Sequence, residues 1–301
     1  MGKHPYLQKV INYIAAQSLS VAHLRLFQGG QLIDKWDALP VMPLDQRSIT
    51  KAVVALAFGC MTVDYGLDTT DSVLSFFPEY AAQLEDTPWQ DVQIAHLLTM
   101  SHGQPGQRLM ADYRRNHRED DWLQFCFFDK FIDRPGASFR YTNTAPYLLG
   151  LIMSAQINEP LADYIQRRIF DPLDIPRPTY TYDPDGRFFS GSGIHMSTDD
   201  LARLAVAVAE SDDEQWVPCQ WLKRMTSPII KTGSSEIDRR HYGYYIWIGR
   251  QNSWYMSGVN GQIALYAPEK DLLFCSNGNV PESGKMIQCY WDFVHPTVPT
   301  I

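Results

Sequence analysis

Apolar positions recur along this chain at two different periods, and the two periods occupy different stretches. Leu7, Val10, Ile11 and Ile14 fall at helical spacing and predict an amphipathic opening helix. Residues 21–27 alternate at period two, Gly29-Gly30 offers a hairpin turn, and residues 31–36 read as the return strand. Period two then disappears until the last third. Residues 242–248, 254–257, 262–266 and 272–275 read as strands there, with Pro268 to Asp271 as a turn.

Between these ends the pattern is helical and rich in loops. The run from Ala52 to Phe58 is apolar throughout, and Gly66 follows as a C-cap. Residues 71–77 predict a short helix ended by Pro78, and residues 94–99 another. Gly103, Pro105 and Gly106 open a long irregular stretch, of the kind that often carries function. Helices are expected at residues 121–131, 145–155, 160–170 and 201–209, the last capped near Thr198 to Asp200, and a closing helix from about Ser283 to Val294. Strands confined to the two ends predict an α+β fold: one antiparallel sheet built from both termini, flanked by helices. The corresponding division is a discontinuous sheet domain, residues 1–59 and 172–301, with residues 60–171 as a helical insert.

Composition narrows the function classes. The 301 residues carry a formal charge of −8 and no Lys/Arg-rich run, which argues against a nucleic-acid partner. The longest apolar run, residues 52–61, is too short to span a bilayer, and residues 1–6 contain no apolar leader core. The five cysteines are odd in number and widely spaced, which fits reduced thiols and a cytoplasmic location better than a disulfide framework.

The candidate chemistry lies where the polar loop around Asp45 meets the apolar helix. Ser48 is expected in the first turn, with Lys51 three residues on and therefore on the same face. A serine hydroxyl needs a neighbouring base to become a nucleophile, and a desolvated lysine can be one. A solvated lysine one turn after a capping serine is the structural alternative. The chain has no Gly-x-Ser-x-Gly elbow, no His-Glu-x-x-His and no ligand-spaced histidine cluster, so neither a metal nor a cofactor is expected. His96 reads as a buried structural histidine, whereas His102 and His195 lie nearer the expected cleft.

Three motifs in order carry a family resemblance: Ser48-Ile49-Thr50-Lys51, then Tyr141-Thr142-Asn143 after Pro135-Gly136, then Ser257-Gly258 followed by Gly261-Gln262. With Gly66-Leu67-Asp68, Phe77-Pro78-Glu79, Phe170-Asp171-Pro172-Leu173 and Ala267-Pro268-Glu269-Lys270-Asp271 between and after them, the chain resembles the class C β-lactamase and DD-peptidase-like serine hydrolases over nearly its whole length. The resemblance implies that family's fold and acyl transfer through an acyl-serine. Ser48 would be nucleophile and Lys51 base. Tyr141 would move protons, its pKa lowered by the Lys51 cation. Asn143 would donate to a substrate carbonyl or to Lys51. Gly258 would admit the substrate, and the Val259 and Ser48 N–H groups would form the oxyanion hole.

The third motif departs from the family. Met256-Ser257-Gly258 stands where β-lactamases carry Lys-Thr-Gly on the edge strand beside the nucleophile, so the cation for a β-lactam carboxylate is missing there. Arg140, Arg187 or Lys231 could restore it from another loop. Lys231-Thr232-Gly233 spells the motif literally but in a loop context. The expectation is a hydrolase of a small-molecule ester or amide, with Met256, Ser257, Gly258, Val259 and Asn143 lining the substrate site. β-Lactamase or DD-carboxypeptidase activity, or a silent binding protein on the same fold, are the alternatives, and oligomeric state is left open.

Overall fold

The computed structural model describes residues 4–116, 121–282 and 284–300. Ten strands are formed: β1 (Val21–Gln28), β2 (Gln31–Asp37), β3 (Leu44–Asp45), β4 (His195–Met196), β5 (Ile230–Lys231), β6 (His241–Tyr242), β7 (Trp247–Ile248), β8 (Trp254–Ser257), β9 (Ile263–Ala267) and β10 (Leu272–Gly278). Eight of them make one antiparallel sheet in the order β2-β1-β10-β9-β8-β7-β6-β5, and β3 pairs with β4. The amino-terminal hairpin thus joins the last strand directly, Leu26 opposite Phe274. Both termini do build one sheet, and the architecture is α+β.

Period two explains how that sheet is buried on both sides. Leu24 and Leu26 of β1, Leu265 of β9, and Leu272 and Phe274 of β10 pack with the opening helix Gln8–Ala16 and with Ile287, Tyr290 and Val294 of the closing helical segment. The intervening residues Met256, Ala264, Leu273 and Cys275 face the other way. They join a larger cluster with the helices Thr50–Asp64, Thr144–Ala155 and Thr198–Glu210. The helix that follows Ser48 is therefore central: every residue from Thr50 to Met61 is buried.

Several predicted elements changed form for local reasons. Residues 242–248 are not one strand; the Gly243 N–H donates to the Ile246 carbonyl and Tyr245 is left-handed, so β6 and β7 form a tight hairpin. The expected short helix is a 3-10 helix, Val73–Phe76, that ends just before Pro78, and Pro78 then starts a second short helix, Pro78–Ala81, as suits a residue with no N–H to satisfy. The cap of helix Thr198–Glu210 is Ser197, whose Oγ accepts from the Asp200 N–H. The closing helix is observed from Gly284; Ser283 lies outside the described residues. All five cysteines are free, and among the described residues no helix is long and apolar enough to cross a membrane.

A buried cation ties sheet to helix. Arg25 in β1 is 1% exposed, and it pairs with Asp37 at 2.7 Å and with Asp199 at 2.5 Å. Asp199 sits in the first turn of helix Thr198–Glu210, where a carboxylate also complements the helix dipole. Asp199→Ala should cost about 1.5–3 kcal/mol, the usual worth of hydrogen bonds to a charged group. Urea unfolding would measure it, and a loss within error of zero would show that Asp37 alone satisfies the arginine.

Candidate active site

Ser48 lies in a short 3-10 turn, Arg47–Ile49, that runs into helix Thr50–Asp64, one step ahead of its expected place in the helix itself. The turn is held from both sides. The Arg47 N–H donates to Asp45 Oδ1 at 2.8 Å, and Thr50 Oγ1 donates to the Arg47 carbonyl at 2.7 Å. Arg47 has φ 52°, a left-handed conformation that costs a non-glycine residue on the order of 1–3 kcal/mol. Strain of that size next to a candidate nucleophile is a common companion of function.

Lys51 is 1% exposed and has three oxygens within hydrogen-bonding reach. Its Nζ lies 3.1 Å from Ser48 Oγ, 2.7 Å from Asn143 Oδ1 and 2.5 Å from the Gly191 carbonyl. Burial holds the amine well below its ordinary pKa, and the Arg114 charge adds to the effect. Asn143 accepts from Lys51, the reverse of the expected donation, because its Nδ2 is already committed to the Leu109 carbonyl at 2.9 Å and Met110 Sδ at 3.4 Å. Gly191 is needed at its position: a Cβ there would fall 2.9 Å from the Phe189 ring and 3.2 Å from Asn143 Cβ.

Tyr141 completes the cluster. Its ring sits 5.1 Å below the Lys51 amine and stacks on Trp247 at 5.9 Å, with Phe139 and Tyr242 alongside. The phenol is not acidified as expected. Burial pushes it up to about 12, while its hydrogen bond with Ser48 and the charge of Arg239 pull it partly back. A lysine that burial drives toward neutrality cannot act as the acidifying cation, so desolvation wins.

The remaining wall is β8 and the loop after it. The 3-10 turn of Ser48 packs on this strand, and a Cβ on Gly258 would fall 2.9 Å from the Gln46 carbonyl and 2.5 Å from Gln262 Oε1. β8 is interior to the sheet, but β7 pairs only with Trp254 and Tyr255, so the β7 side of Met256 and Ser257 is outside the ladder. Val259 is 63% exposed and Ser257 half-buried at the cleft. Met256 is not a lining residue as expected; strand alternation turns it into the core at 1% exposure. Lys231 lies on β5, the outermost strand, three places from β8. The literal Lys-Thr-Gly therefore has no place beside Ser48.

None of the three cations offered as substitutes is at the centre. Arg140 pairs with Asp133 at 2.9 Å, and Arg187 with Asp183 at 2.8 Å. The charges felt there are Arg114, at Lys51, and Arg239, at Tyr141. Both were missed. Arg114 falls in a stretch read as irregular that instead forms helix Ala111–Asn116, and the Arg239 side chain reaches over Trp247 at 5.7 Å. His96 serves as a helix cap, its Nδ1 accepting from the Gln93 N–H. His102 is buried beside Gln104, and burial lowers it to about 4. His195 sits in β4 against the Gly193 carbonyl. Among the described residues no group of three or more His, Cys, Asp or Glu side chains is placed to hold a metal ion.

With this geometry in place, comparison with known proteins is decisive about family. The Beta-lactamase family matches residues 36–284, and the chain belongs to it. Among solved structures, EstCE1, a hydrolase with promiscuous acyltransferase activity, superposes with TM-score 0.81 at 16% identity, covering 96% of this chain and 97% of that one. The octameric penicillin-binding protein homologue from Pyrococcus abyssi gives TM-score 0.77 at 21% identity, over 94% and 75% of the two chains. Among curated sequences, Protein flp of Staphylococcus aureus (strain MW2) is 26% identical over 155 residues, half of this chain. That match spans only 31% of the relative's length.

The geometry generates a direct check on the lysine. In protein carrying 13C-labelled lysine, the Lys51 Cε resonance should titrate well below the ordinary lysine value. A midpoint near the ordinary value of 10.5 would mean that the amine is solvated and charged.

Proposed function

We propose that this protein is a serine hydrolase cleaving a small ester or amide through an acyl-serine, closer to an esterase or peptidase than to a β-lactamase. One observation carries the reading: a lysine amine at 1% exposure lies 3.1 Å from the Ser48 hydroxyl. A neutral amine has two N–H groups and one lone pair. The Asn143 and Gly191 carbonyls take the two N–H groups, which leaves the lone pair for the Ser48 proton. A solvated lysine after a capping serine would have none of these partners.

The steps follow from that assignment. Ser48 Oγ attacks the substrate carbonyl carbon while its proton passes to Lys51 Nζ. The resulting oxyanion is received by the Ser48 and Val259 N–H groups. Tyr141, still a neutral phenol, gives its proton to the leaving oxygen or nitrogen as that bond breaks, and recovers one from Lys51. Water then attacks the acyl-serine by the same relay in reverse. No cofactor enters. Gly258 keeps the wall beside Ser48 low, and Asn143 holds Lys51 in place. The likeness to EstCE1, a hydrolase, is in keeping with this reading.

The preference for esters over β-lactams rests on β8. A penicillin carries its carboxylate on the leaving-group side, and with Met256 in the core only the Ser257 hydroxyl remains there to meet it. Arg239, on the same side, is engaged with the Trp247 ring, with Glu236 at 3.5 Å and with the Tyr255 hydroxyl. Losing one charge-assisted contact costs about 1.5–3 kcal/mol, roughly ten- to a hundredfold in transition-state binding. Wild-type protein should therefore hydrolyse p-nitrophenyl butyrate faster than penicillin. Ser48→Ala and Lys51→Ala should each lose nearly all ester turnover, because the two act as a unit. Thermal stability of Ser48→Ala should stay near wild type, whereas loss of a mere capping serine costs about 1 kcal/mol and spares activity. Retained turnover in either variant would defeat the assignment, and faster penicillin hydrolysis would defeat the specificity.

A further inference from the structure

Arg114 is a cation that no carboxylate of the described residues pairs with, and its buried Nε has no hydrogen-bond partner among them. Asp45, the carboxylate whose field reaches it, is already held by Arg47 at 3.0 Å and by the Arg47 N–H. Desolvation lowers Arg114 to about 10. Partly withdrawing a guanidinium from water without an anion is unfavourable, and such sites are often completed by a carboxylate or phosphate.

Contacts tie this cation to the two partners of Lys51. The Arg114 N–H donates to the Met110 carbonyl at 3.1 Å, and Met110 Sδ accepts from Asn143, the partner of Lys51. The guanidinium lies 4.2 Å over the Phe189 ring, which packs against Gly191, the other partner of Lys51. Arg47, the residue before Ser48, likewise has a buried Nε without a partner. A cavity of about 380 Å³ lined also by Arg115, Trp122, Thr181, Tyr182 and Asp183 opens beside Arg114, the Asp183 carboxylate being taken by the Tyr147 hydroxyl and Arg187. Its charge is felt at Lys51, whereas the cation felt at Tyr141, the leaving-group side, is Arg239.

We propose that Arg114, with Arg47 beside it, binds a carboxylate on the acyl portion of the substrate, so that the preferred substrates are half-esters or half-amides of small dicarboxylic acids. This rests on the acyl-serine reading and specifies which acyl group it accepts. A flat guanidinium held against an aromatic ring is preorganised for a two-point contact with such a carboxylate. The carboxylate of a penicillin is on the leaving group instead, so the two preferences are tested by different substrates.

The test compares mono-p-nitrophenyl glutarate with p-nitrophenyl valerate, which differ only in a terminal carboxylate against a methyl group. Wild type should favour the glutarate by roughly tenfold or more in kcat/KM. Arg114→Met, which keeps an apolar stem against Phe189, should lower that ratio by roughly tenfold, and Arg114→Lys should recover part of it. A ratio near one in wild type, or a ratio unmoved in Arg114→Met, overturns the inference. Independently of any variant, free glutarate should slow fluorophosphonate labelling of wild type at concentrations where neutral glutaramide does not; equal effects overturn it too. Valerate hydrolysis without a glutarate preference would remove this inference alone. Failure to hydrolyse either ester, with no labelling of Ser48, would remove the hydrolase reading and this one together.

Discussion

A single desolvated amine organises the centre of this protein. Lys51 can be kept from water only because the helix that carries it is buried along its first twelve residues, Thr50 to Met61, between the sheet and the other helices. Its two carbonyl partners come from distant parts of the chain, 92 and 140 residues away. Any looseness in that packing would admit water, restore the charge and remove the base that we propose. The strained turn at Arg47 belongs to the same arrangement: it presents the Ser48 hydroxyl to the amine, and Asp45 and Thr50 hold it there. On that proposal, stability of the core and reactivity of the serine are one property.

The polar groups around this amine divide by side. Toward Tyr141 the surroundings are aromatic, with Trp247, Phe139 and Tyr242 excluding water and raising the phenol. Toward Lys51 the surroundings include Arg114, whose buried Nε has no partner among the described residues. On the proposed mechanism, a neutral acid on one side and a cation on the other make the cleft asymmetric. Such a site can read the two halves of a substrate by different chemistry.

Much of this was legible in the sequence because it depends on local periodicity. Period two at residues 21–36 and 254–275 was enough to bring both termini into one sheet, since alternation specifies which residues must be buried together. Ser48 and Lys51 could be paired because three residues of helix fix their distance whatever the tertiary fold. What could not be read depends on packing. A backbone carbonyl such as that of Gly191 has no sequence signature. The burial of Met256 follows from strand register relative to a helix far away in sequence. The pKa of Tyr141 is set by aromatic neighbours from β6, β7 and residue 139, so a reasoning limited to nearby charges gave it the wrong direction. Arg114 was hidden because six helical residues after a Gly- and Pro-rich stretch have no clear period.

The central claim is that a neutral Lys51 takes the proton of Ser48, and the pH dependence of covalent labelling tests it most directly. A fluorophosphonate loses fluoride to the attacking serine, so the adduct is counted by intact mass and located by peptide mapping. The account predicts one adduct, on Ser48. Its second-order rate should rise with pH through a midpoint well below 10.5, as the amine loses its proton, and then level off while the phenol of Tyr141 stays protonated up to about 12. No adduct at Ser48, or a rate that rises only near the ordinary lysine pKa, would contradict it.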